Sequence, residues 1–532
     1  MLRLALVALA PGGVPDLGAF ADRLMRPATL RAAAATLDTS FWGAIVSLAI
    51  GAPLAATALT DLPGRRVIAF LSMLPLMIAP QVTALAWAHL FGPSSALLGA
   101  LGLAPPVGTV NPMRGRDGIV LLYGVQHAPI VFLTLRAGLI SVPRDLVEAA
   151  RAAGASPVRA FRRVVVPLIR SHLIAAFVLA FVSGVGNFGI PALLGLPVGY
   201  LTLTTLIYQK ISSFGPSVLP EAATLSVAIA IVALIGTAGV AIVLPRRRTE
   251  VRSGPIVRFE LGGARIPAAV AAWTVPVAAL LLPAAALLST ALVPAFGVPL
   301  DASTATLGNF TEVLFHQAAT GRAFVNSFLL SAGAALFVAG LAVPLGWIVE
   351  RVPGRRAEVV RAIVDLPYAV PGIVVAIACI LLFLKPLPLV GSLYGTIWIL
   401  FAAYVMRFLA LAAKPVGTAI ASLPRDLEEA GAACGAGPVR RLVRIVAPLT
   451  APSAAAGALL VFMSAFNELT VSALLWSSGR ETIGVVLFGL EEAGLAPQAA
   501  AVAVTSLVVV LAVLATVDRL GRRLPAGILP WR

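Results

Sequence analysis

Residues 148–167 read EAARAAGASPVRAFRRVVVP, and residues 429–448 read EAGAACGAGPVRRLVRIVAP. They are one pattern displaced by 281 positions, with Asp145 falling on Asp426, Glu148 on Glu429, Gly154 on Gly435, Pro157 on Pro438 and Pro167 on Pro448. From Val142 to Ile169, 16 of 28 positions are identical in that register. The local chemistry predicts a short helix, a sharp turn and a second helix. Pro143 can open a helix because a first-turn residue needs no amide donor. Asp145 suits the positive N-terminal end. The run LVEAARAA favours helix until Gly154, a natural left-handed stop. Ser156 then caps and Pro157 starts a second helix, which Pro167 disturbs. Gly435, Gly437 and Pro438 take the same places in the second copy. The carboxylates Glu148 and Glu429 sit beside small alanines, Ala149 and Ala430 among them, that permit close approach by another surface. A single copy would read as a basic loop that sets topology. Two copies alike at surface positions point to a docking element.

Outside these stretches the chain is apolar. Its 532 residues are 59% hydrophobic and 12% charged, against roughly 45–50% and about 25% in soluble globular proteins. The net charge of +16 does not indicate nucleic acid, because the basic residues are confined to short loops between apolar runs. Cys379 and Cys434 suggest neither a disulfide nor a metal-binding spacing.

A membrane-spanning helix needs about 20 apolar residues. Eleven spans are expected, near 39–60, 67–91, 117–138, 171–192, 222–245, 266–295, 323–350, 358–384, 391–413, 451–475 and 500–518. Pro75, Pro80, Pro367 and Pro371 fall within them, as neighbouring helices allow. With the two repeated stretches placed inside the cell, segments 61–66, 136–170, 246–265, 351–361, 407–444 and 519–532 hold 29 of the 39 basic residues. That asymmetry is the positive-inside pattern.

The repeat continues into the following span, where Phe181 meets Phe462 and Ser183 meets Ser464. The expected fold is therefore all-α and polytopic, with two tandem homologous halves of about six helices each, running in the same membrane direction. The expected domains are 1–245 and 266–532, joined by the basic linker 246–265. The second half opens with a full span ending LLSTALVPAFGVPL, whereas the first opens with MLRLALVALAPGGVPDL. The latter reads as the tail of the same span with its front missing, in preference to a cleaved signal peptide.

The pattern Glu-Ala-Ala, three residues, Gly, nine residues, aliphatic, one residue, aliphatic, Pro resembles the permease signature of bacterial binding-protein-dependent ABC importers. Glu148-Ala149-Ala150, Gly154, Val164, Val166 and Pro167 fit it, as do Glu429-Ala430, Gly435, Ile445 and Pro448; the second copy departs at Gly431 and Ala447. The resemblance implies a type I ABC importer permease fold in the bacterial inner membrane. It makes the two stretches cytoplasmic coupling helices, with Asp145, Glu148, Ala149, Gly154, Pro157, Asp426, Glu429, Ala430, Gly435 and Pro438 at the contact. It implies two copies of a cytoplasmic ATPase subunit and a periplasmic substrate-binding protein as partners. The fused double permease, with GNFGIPALLG at 186–195 and FNELTVSALLWSSG at 466–479, resembles the ferric-iron permeases. Thiamine and aminoethylphosphonate permeases are cousins.

The chain has no GxxxxGK[ST] loop, so ATP hydrolysis is assigned to a partner and no cofactor is expected here. Its four histidines form no metal-ligand spacing. The rival classes are an ion-coupled secondary transporter, which needs ionisable residues in the membrane, and a membrane-embedded enzyme, for which no nucleophile–base constellation appears. Glu468 and Asp365 are the charged candidates within spans. Gln81, Gln126, His127, Asn187 and Asn467 are polar and uncharged. Asn187, Asn467 and Glu468 are candidates for the translocation path, and Glu468 also for a hard cation such as ferric ion. Interhelical hydrogen bonding is the competing role.

Overall fold

The computed structural model describes residues 1–532 except 12, 107, 216, 244–258, 353, 387, 389–390 and 522–532. The basic stretch 245–258 and the last basic residues of the 519–532 segment lie outside the described residues. Among the described residues the chain is helical, with no strand and one isolated bridge, Thr60 to Phe259.

Among the described residues eight helices are long and apolar enough to cross a membrane, and four bent pairs raise the number to twelve if each is one span. These cover the eleven expected spans and leave one further bent pair, Gly189–Val198 with Leu203–Ile211, which turns by 76° as a broken span or a re-entrant loop does. Two expected spans turn sharply at an internal break. The 67–91 span turns by 102° between Val67–Met77 and Pro80–Ala100, and the 358–384 span by 111° between Ala357–Ala369 and Gly372–Phe383. The prolines are the cause. Pro80 starts its half-helix and Pro371 precedes the other, each after an extended residue, since proline has no amide to continue the ladder. At the first break the carbonyls of Pro75 and Ile78 accept from Gln126 Nε2 at 2.7 and 3.1 Å. That answers the need to satisfy every backbone group within lipid.

The described residues form two compact units, one within Leu17–Asn309 and the other of Met1–Asp16 with Phe310 to Gly521. In the first, Pro27–Ala56 packs along Arg116–Ile140 and Arg170–Val185. In the second, Ala318–Arg351 packs with Ile397–Ser422 and Ala447–Phe466. Small residues allow the approach, as at membrane helix interfaces generally. A Cβ on Gly51 would stand 2.6 Å from the Ala128 carbonyl, and one on Gly457 would stand 2.7 Å from Ala412 Cα.

These units divide the chain differently from the sequence halves 1–245 and 266–532. The span Gly262–Ala291 opens the second sequence half but belongs to the first unit, where Leu282–Ala291 lies on Pro80–Phe91. Leu2–Leu9 lies on Gly372–Phe383 in the second unit. Both half-helices are buried over most of their residues. A helix apolar on all sides needs cover on all sides, and the opening helix of the other sequence half supplies it. The described end of the linker is tied back locally. Phe259 N–H donates to the Leu59 carbonyl at 2.7 Å, Leu261 N–H donates to Asp61 at 3.2 Å, and Arg265 Nε stands 3.5 Å from Asp61.

Candidate functional site

The two repeated stretches fold alike. Arg144–Ala152 ends at Gly154 with φ +82°, and Asp426–Ala433 ends at Gly435 with φ +78°. In each the turn is closed by paired backbone bonds. Gly154 N–H donates to Arg151 and Ala155 N–H to Ala150; Gly435 N–H donates to Ala432 and Ala436 N–H to Gly431. This is the Schellman arrangement, which needs a left-handed residue and so selects glycine. Ser156 caps the next turn by accepting from Arg159 N–H at 3.3 Å. A π-helical turn follows in both copies, Phe161–Val165 and Leu442–Val446, just before Pro167 and Pro448. Such a widened turn accommodates a residue without an N–H.

Asp145, Glu148, Ala149, Gly154, Pro157, Asp426, Glu429, Ala430, Gly435 and Pro438 are all exposed. Between them stand apolar side chains at matching positions: Leu146 and Leu427 are 47% and 44% exposed, and Val158 and Val439 are 69% and 74% exposed. Glu148 is paired with Arg144 one turn earlier.

The inner faces differ. Val147 is buried in an apolar cluster with Leu139, Val142, Ala160, Val165 and Ile169. Its repeat mate is Glu428, also buried. The Glu428 carboxylate accepts from Arg351 Nε and from Trp347 Nε1, both at 2.8 Å. Arg351 also donates to the Ile420 and Leu423 carbonyls. Sequence reading passed over Glu428 because it sits beside the motif glutamate and looks like one more surface charge.

The candidate path residues have defined local roles. Asn187 Oδ1 accepts from Ile190 N–H at 3.1 Å, at the start of the short helix Gly189–Leu194. Glu468, its repeat mate, accepts from Val471 N–H at 2.9 Å and Ser472 N–H at 3.1 Å, before the short helix Ser472–Leu475. Ser472 Oγ donates to Glu468 at 3.2 Å and lies 2.8 Å from Tyr404 Oη. Both residues accept from a backbone N–H three residues on, as the side chain of a helix cap does. Asn467 is buried beside Glu468. The next helices start in matching ways: Leu203 N–H donates to Thr36 at 2.8 Å, and Ile483 N–H donates to Ser327 at 2.9 Å.

The doubled arrangement has a counterpart among known proteins. The family model for the binding-protein-dependent transport system inner membrane component matches twice, over residues 43–249 and 342–526. The chain belongs to that family. It is an ABC importer permease subunit with two permease segments fused in one polypeptide. A probable ABC transporter permease protein, y4fN, of Sinorhizobium fredii is 28% identical over 491 residues, covering 88% of this permease and 83% of that protein. The Fe(3+)-transport system permease protein FbpB 2 of Haemophilus influenzae is 26% identical over 392 residues, covering 71% of each. A solved bacterial ABC transporter involved in the import of alginate superposes with a TM-score of 0.41 at 19% identity, over 50% of this chain and 97% of that one.

A second charged residue of this permease escaped the sequence reading. Arg407 was grouped with the 407–444 loop, but the helix runs Ile397–Ser422 and carries both Arg407 and Lys414 inside the span. At 1.5 Å per residue, Arg407 lies about 15 Å along the helix from Ile397 and about 22 Å from Ser422. Its guanidinium carbon is 5.8 Å from the Phe408 ring centroid. It also rests on Gly372 at the helix break, where a Cβ would stand 2.5 Å from it. Its repeat mate is Gln126, whose amide is spent on the break carbonyls of Pro75 and Ile78. Asp365, the other charged candidate, stands 3.6 Å from Lys414, whose ammonium lies 5.2 Å from the Tyr368 ring. The signal was present in IWILFAAYVMRFLALAAK, an arginine with apolar residues on both sides.

Proposed function

We propose that this permease imports ferric iron across the bacterial inner membrane, driven by ATP hydrolysed on two copies of a cytoplasmic ATPase subunit and supplied by a periplasmic binding protein. The observation that carries the coupling role is the doubled exposed element. Leu146, Glu148 and Val158 recur as Leu427, Glu429 and Val439, exposed in both copies. Exposed apolar side chains recurring on a defined turn mark a docking surface. The positive-inside asymmetry supports a cytoplasmic position for these elements, with the bent pair Gly189–Val198 and Leu203–Ile211 as a re-entrant loop. Each then presents a small knob to one ATPase subunit, and closure of the ATPase pair moves the attached spans between inward- and outward-facing states. Catalysis belongs to the partner, and this chain carries no cofactor. The likeness to the Haemophilus influenzae ferric permease supports iron as the substrate. Asn187 and Glu468, which hold the short helices at their breaks, shape the path together with Asn467, buried beside Glu468.

The test is uptake of labelled ferric iron and labelled thiamine in cells carrying this chain, its ATPase and its binding protein, with Glu148→Arg and Glu429→Arg introduced together. Iron uptake that needs the chain and is lost in the double variant supports the reading. Thiamine uptake in its place overturns iron while keeping the architecture. Uptake that persists in the double variant without the ATPase overturns the ABC mechanism.

A further inference from the structure

Arg407 is a cation inside a span, and a charge there is costly unless something pairs with it. The carboxylates of its unit that are named above and lie within or against the spans are engaged elsewhere. Asp365 faces Lys414, Glu428 is held by Arg351 and Trp347, and Glu468 is occupied by Val471 and Ser472. Among the described residues no hydrogen bond or ion pair reaches the Arg407 guanidinium.

Its position excludes a lipid-facing role. Ala403, Tyr404 and Ala410, its neighbours at i−4, i−3 and i+3, are all buried. Residues at these spacings share one side of a helix, so Arg407 is on the packed side. Yet it is itself only half-buried. A side chain on the packed side that stays partly open borders space which water or a solute can enter. Gly372 leaves the flank of the guanidinium clear, since any side chain there would collide with it. The guanidinium stays charged and offers a planar fork of donors matched to carboxylate, phosphate and similar oxyanions.

We propose that Arg407 is a substrate contact for an anion, and that the imported solute passes this level of the membrane as an oxyanion or as a negatively charged metal chelate. The proposal rests on the importer reading above and narrows it. A bare ferric ion is repelled by a fixed guanidinium, whereas ferric iron wrapped in oxygen ligands that leave the complex anionic is attracted. In the first sequence half the matching Gln126 is neutral and used structurally, so the second half alone carries the charge.

Two measurements on the full chain with its ATPase and binding protein test this. The first is cell uptake of three labelled probes: ferric citrate, molybdate and thiamine. Arg407→Gln should lower uptake of an anionic probe by about tenfold or more, the scale for deleting one charged hydrogen-bond donor, and Arg407→Lys should restore part of it. Thiamine transport, or anion transport unchanged in Arg407→Gln, overturns the proposal. The second needs no substrate. With Cys434→Ala in place, Leu411→Cys puts a thiol one turn from Arg407. Its rates with an anionic and a cationic methanethiosulfonate reagent are compared with and without Arg407→Gln. Faster reaction with the anionic reagent, lost in Arg407→Gln, supports the proposal. Equal rates, or no reaction with either, overturn it. Cells that import none of the three probes remove the substrates named under the proposed function, while the reagent ratio still decides the role of Arg407.

Discussion

Arg351 Nε and Glu428 Oε1 stand 2.8 Å apart, both side chains 11% exposed, and this pair ties the second docking element to the long helix Ala318–Arg351. The first docking element has Val147 at the matching position, packed in an apolar cluster. The same job is thus done by different chemistry in the two halves.

Removing one partner of a buried ion pair leaves the other charge uncompensated, at a cost of about 3–5 kcal/mol. Glu428→Ala should therefore lower the unfolding temperature in detergent clearly, and Arg351→Ala should do likewise. The double change Glu428→Val with Arg351→Met, which copies the apolar solution of the first half, should recover much of the loss. Thermal unfolding of the four proteins checks this, and a double variant no better than the singles would contradict it.

At Gly154 and Gly435 the backbone is left-handed, which costs an L-residue with a side chain roughly 1–2 kcal/mol. No neighbour lies within 4 Å of a Cβ built at either position, so alanine there is strained without colliding. Gly154→Ala and Gly435→Ala should reduce transport through a misplaced turn while changing the global unfolding temperature little. Uptake and thermal unfolding measured together separate the two effects.

Glu468 behaves as a cap, and Asn187 shows that an amide can serve in the same place. Glu468→Asn should keep both fold and transport. Glu468→Ala should lose about 0.5–2 kcal/mol, the usual worth of a cap. Loss of uptake in Glu468→Asn with unchanged unfolding would show that the charge itself is needed.

Glu481 lies outside the candidate spans. Burial raises its pKa, but hydrogen bonds from its own N–H and from Gly479 N–H, together with Arg322, outweigh this and hold the carboxyl below the usual range. The folded state thus favours the ionised form. Its contribution is present above the unfolded pKa of about 4.3 and is lost as pH falls through the lower folded value. Between neutral pH and about 4, Glu481→Gln should flatten part of the fall in unfolding temperature relative to the parent protein. Parallel pH profiles for the two would contradict this.

Much of the site was legible because its determinants are local. The turn at Gly154 needs a left-handed residue, the entry at Pro157 needs a residue that tolerates a first turn, and the repeat shows both twice. The spans were legible because lipid demands long apolar runs. The breaks at Pro80 and Pro371 were harder. A proline in a span permits either a kink or a full turn, and the choice depends on whether a neighbour such as Gln126 meets the freed carbonyls.

From the sequence alone came the all-α membrane architecture, the duplication and the two docking elements, because hydrophobic length, proline and glycine act within a few residues of themselves. Tertiary structure alone decided which side chains meet across the chain. It set Leu282–Ala291 on Pro80–Phe91, and it buried Glu428 against Arg351 where Val147 needs no partner. It also left Arg407 on the packed side of its helix without a carboxylate. Those outcomes depend on which surfaces are brought together over hundreds of residues, and no local pattern records that.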